Sequence, residues 1–252
     1  MSNAIIFDWD GTIVSCNEKI DLVIDKLCQT YSEVAEKYKL AILGNKQSSG
    51  WIRKGLIASL SEDYFTHRLG LIVELIGEVQ NLTVDMVWSV VLQTFKLSYL
   101  QVQAKVLADK QKLHELSNYA TLYVVSSSGI DNILTEAETL GFERSTFSFI
   151  GDAKKYSVGE SEPSIVGIPT VRPRYKETLN VIHTRHEKLI VIGDNFSLDL
   201  VTPISMGIRV AYIPNYLSPK EILQYIKNNQ ILSGNINDVL DILIKEMKGG
   251  VA

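Results

Sequence analysis

Ala4-Ile5-Ile6-Phe7-Asp8-Trp9-Asp10-Gly11-Thr12 is the stretch that decides the fold. Residues 4–7 are an unbroken apolar run that stops at two carboxylates and a glycine. Alternate residues of a strand face opposite sides of a sheet, so such a run predicts a strand covered on both faces. Asp8 to Gly11 predicts a turn at its carboxyl end. Runs of the same kind recur at residues 122–125, 147–150, 189–192 and 210–213. Between them, apolar residues spaced by three and four predict helices over 110–116, 130–140 and 175–183. Strands alternating with helices imply right-handed βαβ units, hence an α/β fold with an open parallel sheet sandwiched by helices.

Residues 17–100 break this rhythm. Helix-period spacing runs through 18–43, 62–79 and 84–99 with no clear strand between, and Asn17 and Thr83 are candidate N-caps for the first and third of these segments. The pattern predicts two domains: an α/β core from 1–16 and 101–252, and an all-helical insert from 17–100, with hinges near 14–16 and 101–104. Residues 151–171 form the one long irregular stretch, and loops of that length are more often functional than idle.

The 252 residues are 46% hydrophobic and 21% charged, which excludes disordered and fibrous classes. A chain of this length buries roughly 70–75% of its unfolded surface. Twenty-five Lys and Arg against 29 Asp and Glu give a net charge of -4, so no global basic field recruits nucleic acid or an acidic membrane surface. The expected partner is small; the chain itself is expected to be a monomer or homodimer. Cys16 and Cys28 have no CxxC spacing and read as reduced thiols. The apolar run near Met1 is too short for a signal peptide, and nothing approaches the ~20 apolar residues of a membrane helix. Cytoplasmic localisation is the expectation.

In open α/β sheets ligands bind at the carboxyl ends of strands. There the sequence offers Asp8 and Asp10, then Ser126-Ser127-Ser128-Gly129, then Gly193-Asp194 followed by Asp199. Carboxylates converging on one edge repel one another unless a divalent cation sits among them, and hard oxygen donors suit magnesium.

Three of these segments resemble the haloacid dehalogenase superfamily, most of whose members are magnesium-dependent phosphatases. Asp8-Trp9-Asp10-Gly11-Thr12 is similar to its DxDGT signature, Tyr123-Val124-Val125-Ser126 to its second motif, and Gly193 to Asp199 to the GDxxxxD form of its fourth. The resemblance covers the first 14 residues and about 105–213, and is of the phosphoglycolate-phosphatase type. It implies a Rossmann-like core, a helical cap at 17–100, and hydrolysis of a small phosphorylated metabolite through an aspartyl phosphate. By resemblance Asp8 is the nucleophile and Asp10 the general acid and base. Asp8, Asp194 and the Asp10 carbonyl hold Mg2+, Asp199 supports the metal shell, and Ser126, Ser127, Gly11 and Thr12 surround the phosphate.

The third motif departs from the family, which supplies a lysine, often as Lys-Pro, before the helix leading to the fourth. Here Arg172-Pro173 stands at that place and the nearest lysine is Lys176. Arg and Lys differ in reach and packing, so Lys176 by chemistry and Arg172 by alignment are both candidates. Lys154 and Lys155 are next. In the insert, Gln47 to Lys54 joins a glycine turn, an aromatic and two cations, suited either to an anionic substrate or to a solvated helix start. His183 and His186 read as helix-end surface positions, and Met206-Gly207 as a structural turn. A phosphomutase would keep every motif, and a silent phospho-ligand-binding module would suit the missing Lys-Pro. A dehalogenase has no need of Asp10 or a metal.

Overall fold

Ala4, Ile5, Ile6 and Phe7 are each at most 1% exposed, so both faces of their strand are covered. The computed structural model describes residues 2–44, 51–53, 56–58, 64–155, 164–166, 168–169, 172–215 and 218–249. Among them, β1 (Ser2–Phe7), β2 (Ala120–Val125), β3 (Ser148–Ile150), β4 (His186–Gly193), β5 (Arg209–Tyr212) and β6 (Leu232–Ser233) form one sheet in the order β6-β5-β4-β1-β2-β3. All its pairings are parallel. The chain winds outward from β1 to β2 and β3, then returns to set β4 on the other flank of β1. That reversal puts the topological switch point, where open sheets form their crevice, beside the end of β1.

By its internal contacts the chain divides into two units, Cys16–Ala104 and Met1–Ser15 with Lys105–Ala252. In the first, α1 (Asn17–Thr30), α2 (Ser32–Leu43), α3 (Tyr64–Gln80) and α4 (Val84–Ser98) enclose an apolar cluster that includes Ile20, Leu27, Val34, Ile72 and Val91. The single helical pattern expected over 18–43 is two helices, broken at Tyr31. Leu27 and Val34 are seven residues apart, so the apolar phase carries across the break and conceals it. Cys16, not Asn17, occupies the N-cap of α1, whereas Thr83 caps α4 with its hydroxyl accepting the Met86 N–H. An antiparallel hairpin pairs Trp51–Arg53 with Leu56–Ala58, where no strand was expected. Gln47 to Gly50 and Lys54, part of the stretch read as anion-facing, lie outside the described residues.

The second unit adds α5 (Lys110–Ser117), α6 (Ile130–Thr139), α7 (Pro173–His183), α8 (Val201–Ser205), α9 (Lys220–Asn228) and α10 (Ile236–Lys248). Pro173 opens α7, as its fixed φ and missing N–H suit a first helical position. The irregular stretch after β3 contains a small hairpin, Ser164–Ile165 with Ile168–Pro169. His183 ends α7, but His186 is a correction to the helix-end reading: it starts β4, is 9% exposed and bonds the Tyr123 hydroxyl at 3.0 Å. Gly207, at φ +72°, turns the chain from α8 toward β5.

Candidate active site

The β1 ladder runs one residue past the strand, where the Asp8 N–H donates to the Ile192 carbonyl at 3.0 Å. Beyond it the chain folds back tightly, for the Trp9 carbonyl accepts both the Ile13 and Val14 N–H groups. Gly11 is required twice over. Its φ of +93° is left-handed, and a Cβ there would overlap the Asp194 carboxylate. Thr12, fully buried, donates its hydroxyl to Asp194 Oδ1 at 3.1 Å. The structure thus gives Gly11 and Thr12, expected around the phosphate, contacts with the Asp194 carboxylate.

At the end of β4, the Asp199 N–H donates to the Asn195 carbonyl and the Asn195 N–H to Asp199 Oδ2, closing a reciprocal turn. A side chain at Gly193 would collide with Asp199. The result is an acidic cluster in which carboxylate oxygens of Asp8, Asp194 and Asp199 lie within 4.8 Å of one another. Asp10 Oδ2 accepts the Ser128 hydroxyl at 3.0 Å.

Lys155 faces this cluster. Its Nζ lies 2.5 Å from Asp8 Oδ1 and 2.9 Å from Asp199 Oδ1, and the side chain is 3% exposed. It stands 5.4 Å over the ring of Tyr175, whose buried hydroxyl donates to the Asp199 carbonyl at 3.1 Å. The loop after β3 is zipped to the loop after β2. Ser126 N–H donates to the Ile150 carbonyl, Asp152 N–H to the Ser128 carbonyl, and Ala153 N–H to the Ser126 carbonyl. The Lys155 N–H donates to Ser127 Oγ at 3.1 Å. Ser126, expected to hold phosphate oxygens, is buried and its Oγ accepts the Ser128 N–H. Asp152 and Lys154 adopt left-handed φ of 53° and 48°, a conformation non-glycine residues hold only when surroundings enforce it.

Neither leading candidate for the third-motif cation stands at this place. Arg172 is buried beneath the fourth-motif segment and donates from Nη2 to the Ser197 carbonyl at 3.0 Å. Lys176 is exposed on the outer face of α7. The reason is helical phase. Tyr175, Leu179 and Ile182 turn inward, and Lys176 lies off that stripe. Tyr175 had no sequence signal beyond apolar spacing.

Electrostatics follow from this packing. Burial, with help from Asp199 and Asp10, pushes the Asp8 carboxyl up to about 7 against the pull of Lys155. Burial alone would lower Lys155, but Asp199 and Asp8 outweigh it and hold the ammonium above the usual lysine range. Burial likewise raises the Tyr175 phenol. The Asp8, Asp194 and Asp199 carboxylates crowd negative charge into one place, and an all-oxygen donor set of this kind fits a hard divalent ion.

No family model matches the chain, and no curated protein matches it. Solved structures do. A Clostridium difficile protein assigned as a phosphatase is 15% identical with a TM-score of 0.60, over 96% of this chain and 98% of that one. A Haemophilus somnus protein assigned as a phosphoglycolate phosphatase is 16% identical with a TM-score of 0.59, over 96% and 97%. A haloacid dehalogenase-like family hydrolase of Streptococcus pneumoniae is 17% identical with a TM-score of 0.56, over 96% and 98%. The chain has the fold of haloacid dehalogenase-like hydrolases, and the likeness spans nearly its whole length.

Proposed function

We propose that this chain is a phosphatase that hydrolyses a small phosphorylated metabolite through an aspartyl phosphate on Asp8, with magnesium as its cofactor. The observation that carries the reading is the buried Asp8–Lys155–Asp199 bridge at the sheet's switch point. One buried lysine there bridges two carboxylates, with a third at Asp194 beside them, at the strand ends where an open sheet binds its ligand.

In this reading Asp8 attacks the phosphorus in line with the leaving oxygen, splitting one displacement into two. Asp10, held by Ser128, protonates the leaving alkoxide and then takes a proton from the hydrolytic water. Lys155 offsets the charge of Asp8 and of the incoming phosphate, in the role first assigned to Lys176 or Arg172. Ser126 Oγ, which accepts the Ser128 N–H, keeps its own hydroxyl hydrogen to donate to a phosphate oxygen. Asp8 and Asp194, with the Asp10 carbonyl, would hold magnesium; Asp199, whose oxygens already take Lys155 and the Asn195 N–H, would support them. The ion would neutralise developing charge on the transferred phosphoryl group. The inserted unit Cys16–Ala104 would serve as the cap that selects the substrate.

The test is phosphate release from p-nitrophenyl phosphate with and without chelator. Magnesium-dependent release by the wild type, lost on the order of a thousandfold or more in a folded Asp8→Asn variant, is expected. Release that persists in the variant, or in excess chelator, contradicts it.

A further inference from the structure

Trp9 stands between Asp8 and Asp10 yet faces away from them. It is fully buried, with its ring edge-on to Phe142 at 5.5 Å and to Phe149 at 6.0 Å. Its Nε1–H donates to Glu136 Oε2 at 2.8 Å. Glu136, on α6, is itself 4% exposed. A carboxylate so deeply placed costs stability unless it is hydrogen-bonded, and the phosphatase reading gives it no part.

Its position supplies one. The α6 helix starts where the Ser126 to Gly129 loop ends, so Glu136 and that loop belong to one continuous segment. This segment grips the Asp8 to Asp10 turn twice: by the Ser128 hydroxyl on the Asp10 carboxylate, and by Glu136 on the Trp9 indole. The Trp9 carbonyl in turn closes the reversal to Ile13 and Val14. The buried, hydrogen-bonded Trp9 side chain thus anchors the backbone from which both neighbouring carboxylates project.

We infer that Glu136 is a positioning residue that acts through the Trp9 indole to hold Asp8 and Asp10 in reacting geometry. The inference rests on the phosphatase reading above. Misplacement of reacting groups by a fraction of an ångström lowers the rate of the chemical step more than it changes binding.

Glu136→Leu and Trp9→Phe should each lower kcat on the order of tenfold with KM little changed, while Glu136→Gln, which keeps an acceptor, restores most of the rate. The double variant, Glu136→Leu with Trp9→Phe, should be slower than the wild type by less than the product of the two single losses, because both break the same bond. Circular dichroism and the thermal midpoint check that each variant is folded. A second readout does not depend on activity. The Trp9 indole N–H resonance, identified by its loss in Trp9→Phe, should be slow to exchange with deuterium in the wild type and at least tenfold faster in Glu136→Leu. An inactive wild type overturns the phosphatase reading but leaves the exchange measurement to decide the hydrogen bond. Multiplying losses in the double variant, or unchanged kcat in folded Glu136→Leu, overturn the positioning role. So does an indole that exchanges as fast in the wild type as in Glu136→Leu.

Discussion

Lys155, in the loop after β3, and Arg172, at the start of α7, are both buried cations beside the fourth-motif segment, yet they grip it differently. Lys155 bridges the Asp8 and Asp199 carboxylates, whereas Arg172 donates to the Ser197 backbone carbonyl. The Arg172 bond braces the backbone of that segment. Lys155 instead sits where a negative nucleophile and a negative substrate must coexist. What decides the difference is backbone. The β3 loop is tied to Ser126, Ser127 and Ser128 and bent through two left-handed residues, which aims Lys155 at Asp8. The α7 start is a regular proline-led helix whose inward stripe is already taken by Tyr175 and Leu179.

Lys155→Ala is the largest test of this contrast. It should lower turnover on the order of a hundredfold, the scale of one preorganised charge contact. Steady-state kinetics on an aryl phosphate checks it, and near wild-type turnover would return the role to another cation.

A second test uses the burial of Asp8. Its carboxyl is raised from 3.8 to about 7 in the metal-free protein, so below about pH 7 Asp8 carries a proton that magnesium must displace. Magnesium affinity should therefore fall about tenfold per pH unit below 7 and level off above it. The same shift has a stability sign. A folded pKa above the unfolded value favours the protonated fold, so this group's contribution to metal-free stability is present below about 3.8 and is lost as pH rises to about 7. Calorimetric titration at several pH values measures the first effect, and affinity that is flat from pH 5 to 8 would contradict the burial argument.

The smallest effects separate the other two cations. Arg172→Ala should cost about 2 kcal/mol of stability, the scale of a buried charged hydrogen bond, with turnover reduced far less than in Lys155→Ala. Lys176→Ala, on the exposed face, should stay within about 0.5 kcal/mol with unchanged turnover. Denaturant titration beside kinetics distinguishes them. A hundredfold kinetic loss in Arg172→Ala with intact stability would reverse the comparison.

These contrasts also show what a sequence exposes. β1 is legible because burial on both faces leaves an unbroken apolar run, and Asp8 and Asp194 are legible as strand-end carboxylates because the sheet forces parallel strands to finish together. Lys155 is not legible in this way. Its place depends on left-handed φ at Asp152 and Lys154 and on bonds to serines nearly thirty residues away, and no local pattern encodes either. Thr12 is similar, since its hydroxyl meets Asp194 across 182 residues of chain. The break at Tyr31 is masked by a continuous apolar phase, and the two residues of β6 are too few to show alternation.

The central claim is that Asp8, paired with Lys155, becomes phosphorylated during turnover. Borohydride quenching of the wild-type protein while it hydrolyses p-nitrophenyl phosphate tests this directly, because an acyl phosphate is reduced to an alcohol and a free carboxylate is not. Peptide mass analysis should find homoserine in place of the Asp8 side chain, and only in samples that contain both magnesium and substrate. Phosphate release with an unreduced Asp8 peptide would contradict nucleophilic catalysis at this residue.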